Sequence, residues 1–332
     1  MTRIRHLLFA IAALASPFAG PTFAADGPAV VASIKPIHSL VASVMAGVGE
    51  PYLIVRGGAS PHTYSLKPSD ATALGRAAVV FWVGPGLELF LESPIQKIAR
   101  RAKVVTLSEA PGLIRLAYRQ GGVFETHADD EHGDHGDEAH EDEHATGDDH
   151  DHGGAAASNR IDMHLWLDPL NAKALVRNIA ATLAKADPRR ASVYNANAKK
   201  VAQRLDGLTR DVAAKLAPVK GKSFIVFHDA YQYFEKRFGM NAAGSITVSP
   251  EIAAGAQRVS EIHRKIRELG ATCVFSEPEF EPRLVHVVTE GTPAASGVLD
   301  PEGAALTEGP DLYFQLIEGL AASLRGCLGR SS

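Results

Sequence analysis

The chain has 332 residues, 45% of them hydrophobic and 22% charged, which suits a globular protein of about two ordinary domains. Its net charge of −4 is set by one segment: without the thirteen acids of residues 125–152 and without Arg3 and Arg5, the remainder carries about +7. No basic patch interleaved with aromatics occurs, which argues against nucleic acid as a partner.

Residues 1–24 read as a secretory signal, with Arg3 and Arg5 ahead of an apolar core from Leu7 to Leu14 and small residues at Thr22 and Ala24. That core is too short to span a bilayer, and no later stretch approaches the roughly 18–20 apolar residues a span needs. No cysteine follows the core to carry a lipid, so the mature chain is expected in a bacterial periplasm, exported and not membrane-anchored. Cys273 and Cys327 are the only cysteines. In an oxidising compartment a disulfide is their simplest fate, against two buried thiols or a metal site.

Short apolar runs then alternate with amphipathic ones. Strands are predicted over residues 29–34, 52–55, 78–83 and 103–107, with helices over 36–46, 69–77 and 87–100 between them. Residues 169–185 carry Leu175, Ile179 and Leu183 at helical spacing. A longer helix, about 189–216, follows the Asp187-Pro188 break, with Val193, Val201, Leu205, Leu208, Val212 and Leu216 as its apolar positions. At 1.5 Å per residue it would be about 40 Å long, enough to act as a strut between two lobes. The βα pattern restarts with strands at 224–227, 242–248, 273–276 and 298–299 and helices at 230–238, 256–269, 283–289 and 311–324. The fold class is therefore α/β: two parallel-sheet lobes, 25–188 and 218–332, joined by a linking helix at 189–217. No sequence repeat relates the lobes.

Residues 125–152 read ETHADDEHGDHGDEAHEDEHATGDDHDH and hold seven of the fourteen histidines: His127, His132, His135, His140, His144, His150 and His152. Such a segment has too little apolar area to offset the entropy of ordering, so a disordered loop is expected. Imidazole mixed with carboxylate is a ligand set for divalent transition metals, although a purely solvating acidic linker is the plainer alternative.

Other metal-competent side chains fall just beyond strand ends, where open α/β sheets bind ligands. His62 follows the second strand, His228 follows FIVF, Glu277 follows CVFS, and Asp300 follows the last strand; His164 precedes a helix. Three imidazoles and a carboxylate are a tetrahedral zinc set. Each of these histidines could equally be a hydrogen-bonded structural residue, the role assigned to His38, His263 and His286.

The wording around the three histidines is more specific. GASPHTYSLKPSD (58–70), MHLWLDP (163–169) and FHDAY (227–231), in that order and with a histidine-acid insertion between the first two, resemble the periplasmic metal-binding proteins that feed ABC importers, and within them the high-affinity zinc-uptake (ZnuA) family. ATCVFSEPEF (271–280), LDP (299–301) and the cysteine pair are similar too, so the resemblance covers essentially the whole mature chain.

That resemblance implies two α/β lobes around a rigid helix with metal in the cleft, His62, His164 and His228 as zinc ligands, and Asp300 or water in the fourth place. It implies a monomeric receptor for Zn2+ whose partner is an ABC permease with its cytoplasmic ATPase, catalysing nothing. Manganese-selective relatives carry glutamate where His228 stands, and imidazole there favours zinc. Ser245 stands where close relatives can have histidine, so no second metal site is expected at that position. The histidine-acid segment becomes an accessory collector or occupancy sensor. Two rival readings are a manganese or broad-metal receptor of the same fold and a zinc hydrolase with Glu277 or Glu279 as general base.

Overall fold

The computed structural model describes residues 27–119, 124, 161–247, 255–268, 270, 272–280 and 283–330. The leader and the histidine-acid segment fall outside the described residues.

The N-terminal part runs β1 (Val30–Ala32), α1 (Lys35–Met45), β2 (Tyr52–Leu53), α2 (Pro68–Arg76), β3 (Val79–Trp82), α3 (Leu89–Lys97) and β4 (Lys103–Thr106). Its four strands form a fully parallel sheet in the order β2-β1-β3-β4. Every residue of β1 and β3 is buried, as expected for strands covered on both faces. After α4 (Pro169–Ala186) and α5 (Ala191–Leu216) come β5 (Phe224–His228), α6 (Gln232–Phe238), β6 (Ala242–Thr247), α7 (Ala256–Glu268), β7 (Cys273–Ser276), α8 (Arg283–Thr289), β8 (Ala295–Val298) and α9 (Leu312–Leu328). These strands make a second parallel sheet, β6-β5-β7-β8. Both sheets thus place their strands in the order second, first, third, fourth. The repeat absent from the sequence exists in the topology.

Helix α5 packs against α4, α1 and α9, so the strut lies inside the molecule. Its buried residues are Tyr194, Ala198, Val201, Leu205, Leu208, Val212 and Leu216. Val193, expected on that face, is 38% exposed. Eight residues separate it from Val201, which at 3.6 per turn puts it well off the stripe, whereas Tyr194 is in phase. A second correction concerns β8, which spans Ala295–Val298 and not 298–299. Its ASGV sequence carries almost no apolar signal, and pairing with β7 defines it, Cys273 opposite Ala295 through Ser276 opposite Val298. Gly297 is required there, because a Cβ would come within 2.5 Å of the Phe275 ring.

The two halves are bonded directly. Lys35, at the start of α1, is buried and donates to the carbonyls of Gly303, Ala304 and Leu306. Trp166 Nε1 donates to Pro301 O, and Tyr313 donates its hydroxyl to Trp166 O. Asp168 caps α4 through Leu170 N and also accepts two bonds from Arg237 of α6.

Cys273 and Cys327 are joined as a disulfide that fastens β7 to the end of α9 across a 54-residue separation. Closing such a loop stabilises by about 4 kcal/mol in the chain-entropy model. Replacing both cysteines with alanine is expected to lower the thermal midpoint by several degrees in scanning calorimetry. An unchanged midpoint would mean that the link contributes nothing to global stability.

Candidate metal site

His62 lies on the loop after β2. Its amide donates to Ser60 Oγ at 3.3 Å, and the loop is pinned two residues on, where the Tyr64 hydroxyl sits between Ile54 O and Asp70 Oδ2. His164 follows Asp162 and opens the short helical turn of Leu165–Leu167. Asp162 is fully buried and accepts both from the His164 amide at 3.0 Å and from its Nδ1 at 2.8 Å. His228 is the last residue of β5, and its Nδ1 meets Glu277 Oε2 at 2.6 Å and Oε1 at 2.8 Å. The Tyr231 hydroxyl adds a bond to Glu277 Oε1 at 3.0 Å.

These elements bring the three rings together, with centroids 5.1–5.7 Å apart. One ligand atom from each lies within 4.8 Å of the others, and they are the group among the described residues that can hold a metal ion. His164 and His228 are buried and His62 is half-buried. With Asp162 and Glu277 ionised, as a bound cation would favour, they accept from Nδ1 of His164 and His228 and leave each Nε2 lone pair for the ion. Those two Nε2 atoms face each other at 3.3 Å. A shared proton, or a cation bound by both nitrogens, accounts for that approach. With zinc–nitrogen bonds of about 2.0–2.1 Å, a tetrahedral edge is about 3.3–3.4 Å, so the spacing fits that ion.

The surroundings are rich in buried acids whose charged forms burial disfavours. Burial pushes Glu277 up to about 8, against which the Tyr231 hydroxyl and the His228 amide act. Glu279 is also raised to about 8, first by burial and then by the like charges of Asp300 and Glu277. Glu302 is pushed well above the usual carboxylate range, again chiefly by burial.

Of the residues expected from the sequence, His62, His164 and His228 converge. Asp300 is not in their group; its Oδ1 accepts from the amides of Glu302 at 3.1 Å and Gly303 at 2.6 Å, closing the turn after β8. The seven histidines of 125–152 lie outside the described residues. His38 is structural as expected, its Nε2 3.0 Å from Pro51 O in the core. What the sequence reading missed is the supporting layer. Asp162, two residues before His164, and Glu277, considered as a base, each orient an imidazole. Arg119 was not singled out, yet it bonds Asp229 beside His228 and Glu235 on α6.

Residues 30–327 match the profile of the family described as "Zinc-uptake complex component A periplasmic". The chain belongs to the ZnuA family. A ZnuA-family relative, the high-affinity zinc uptake system protein of Brucella suis biovar 1 (strain 1330), is 55% identical over 98% of this chain and 99% of its own length. Among solved structures, a crystal structure of ZnuA superposes with a TM-score of 0.72 at 21% identity, covering 91% of this chain and 100% of that one. The periplasmic zinc binding protein TroA from Treponema pallidum does so with a TM-score of 0.73 at 21% identity, covering 91% and 99%. At that identity the two structures show the shared ZnuA-type fold. ZnuA-family proteins are solute-binding components, and no helix among the described residues is long and apolar enough to cross a membrane.

Proposed function

We propose that this ZnuA-family protein captures periplasmic zinc between His62, His164 and His228 and delivers it to an ABC-type permease. The observation that carries the reading is the 3.3 Å approach of two Nε2 atoms whose Nδ1 positions are held by Asp162 and Glu277. Carboxylates behind the imidazoles raise ligand basicity and fix the rings before the ion arrives. Imidazole and carboxylate in a tetrahedral set suit zinc, whereas manganese prefers more oxygen and a larger coordination number. Titration of zinc against manganese tests this, and a clear manganese preference would defeat it.

Hydrolysis is the weaker reading. Glu277 is committed to His228 and Tyr231, which leaves Glu279 as the base that reading would need, and turnover of ester, peptide or phosphate substrates by the zinc-loaded protein would favour it. The protein acts on this view by binding and release alone, as a periplasmic monomer after removal of residues 1–24.

Residues 125–152 are proposed as an accessory zinc collector or occupancy sensor, with His127, His132, His135, His140, His144, His150 and His152 as its ligands. The chain on either side of them is closed upon itself: Ala117 and Ile161 form an antiparallel bridge, and Asp162 N donates to Leu116 O at 2.9 Å. Deleting 125–152 is therefore expected to leave one tight zinc per molecule while removing weaker binding of higher stoichiometry. Metal analysis and calorimetry on the shortened protein check this; loss of the tight ion would move the principal site into the deleted segment.

A further inference from the structure

Resting on the zinc-capture reading, we infer that Glu279 supplies the fourth ligand, the place otherwise open to Asp300 or water. Glu279 stands on the turn after β7 and lines the same cavity as the three histidines. Both of its carboxylate oxygens are shielded from solvent, and neither has a hydrogen-bond partner. An acid buried without a donor is stable only when a proton or a cation meets it.

Lys35, the nearby cation, spends its ammonium on the carbonyls of Gly303, Ala304 and Leu306. Asp300 raises the Glu279 carboxyl both by like charge and through a shared proton, and that proton is what an entering cation would replace; Oδ1 of Asp300 holds the turn amides.

The rivals for the fourth place are tied down in the same way. Glu277 gives both oxygens to His228, and Asp300 does not border the cavity. Glu302 borders it and is the remaining alternative. Glu279 thus combines an unpartnered carboxylate with a position on the cavity wall. Its oxygens lie outside the 4.8 Å group of nitrogens, so ligation requires the side chain to swing inward as the ion enters. The result is a three-nitrogen, one-oxygen tetrahedron, with a unit of the ion's charge neutralised inside the protein.

The test uses the full chain with one equivalent of Co2+ as a visible-spectrum probe and Zn2+ for affinity. Four variants are compared with the parent: Glu279→Gln, Asp300→Asn, Glu302→Gln and His228→Ala. Asparagine retains the Oδ1 acceptor that the 300–303 turn uses, so Asp300→Asn should fold. Glu279→Gln is expected to shift the Co2+ ligand-field bands and weaken zinc roughly tenfold or more. Asp300→Asn and Glu302→Gln should keep the parent spectrum. An unchanged spectrum and affinity in Glu279→Gln would overturn the assignment, as would a spectral change confined to Asp300→Asn or Glu302→Gln. Tight binding that survives in His228→Ala would instead overturn the three-histidine reading beneath it.

Discussion

Replacing His228 with alanine in protein lacking residues 125–152 is expected to weaken zinc binding by roughly a hundredfold or more. Structural zinc sites of four ligands bind with about 10–16 kcal/mol, so one ligand is worth about 3 kcal/mol, or two decades of affinity. His228 ends a fully buried strand, so its backbone is held in place and the loss is read as that of the imidazole. The substitution also leaves Glu277 with Tyr231 as its remaining side-chain donor, so the ion-free melting curve must be recorded beside the binding isotherm. His62→Ala, on the loop after β2, provides the companion measurement and should show a loss of similar order. Calorimetry that finds both substitutions silent would remove the three histidines from the site.

Arg119→Ala is expected to destabilise the protein by about 3 kcal/mol. Arg119 reaches Asp229 through Nε and Nη2 and Glu235 through both Nη atoms, and its guanidinium stacks 3.9 Å from the Phe124 ring centroid. Burial works against the charge on Arg119, yet the two carboxylates hold it firmly protonated. Asp229 and Glu235 are themselves almost fully buried, so removal of the arginine strands two acids. Breaking a buried pair in this way costs about 3–5 kcal/mol, and the partial exposure of Arg119 places it at the lower end.

The pH dependence gives a second readout. Burial raises Asp229 above the usual carboxylate range even with Arg119 present, and loss of the cation raises it further. The stranded acid then takes up a proton in the folded state as pH falls, so the variant should recover part of its deficit in mildly acidic buffer. A deficit independent of pH would assign the effect to lost packing on Phe124. Arg119→Lys should fall between, since a single ammonium cannot serve both carboxylates as the planar fork does.

The course of the chain was legible because most of its elements are local. AVVFWV and FIVF announce buried strands by continuous apolar character, and Pro169 after Asp168 announces a helix start that the structure caps through Leu170 N. The strand least visible in the sequence is β8, which exists through its partner and not through its own residues. Three histidines were legible from the motifs around them, and their convergence followed from where strands end. What supports them was not. His228 and Glu277 are 49 positions apart, and Arg119 and Asp229 are 110 apart; no periodicity joins such pairs. Asp162 is the exception, two positions from its imidazole, and a carboxylate so near a candidate ligand is a signal that could have been read. Asp300, a residue of the right type after a strand, lies outside the histidine group and gives its Oδ1 to a turn, a use its place in the sequence does not announce.

The bridge between Ala117 and Ile161 makes this chain a natural host for insertion. Gln232 and Tyr233 of α6 fasten both of its strands, Gln232 to Ala117 O and Asp162 Oδ2, Tyr233 to Leu116 N and Asp162 O. Whatever polypeptide is spliced in beyond that clasp enters and leaves the body at one fixed doorway. Asp162, next to Ile161 in that doorway, holds both the His164 amide and its ring, so the doorway adjoins the candidate metal site. A fluorescent or ligand-responsive domain grafted there would sit beside the candidate zinc site.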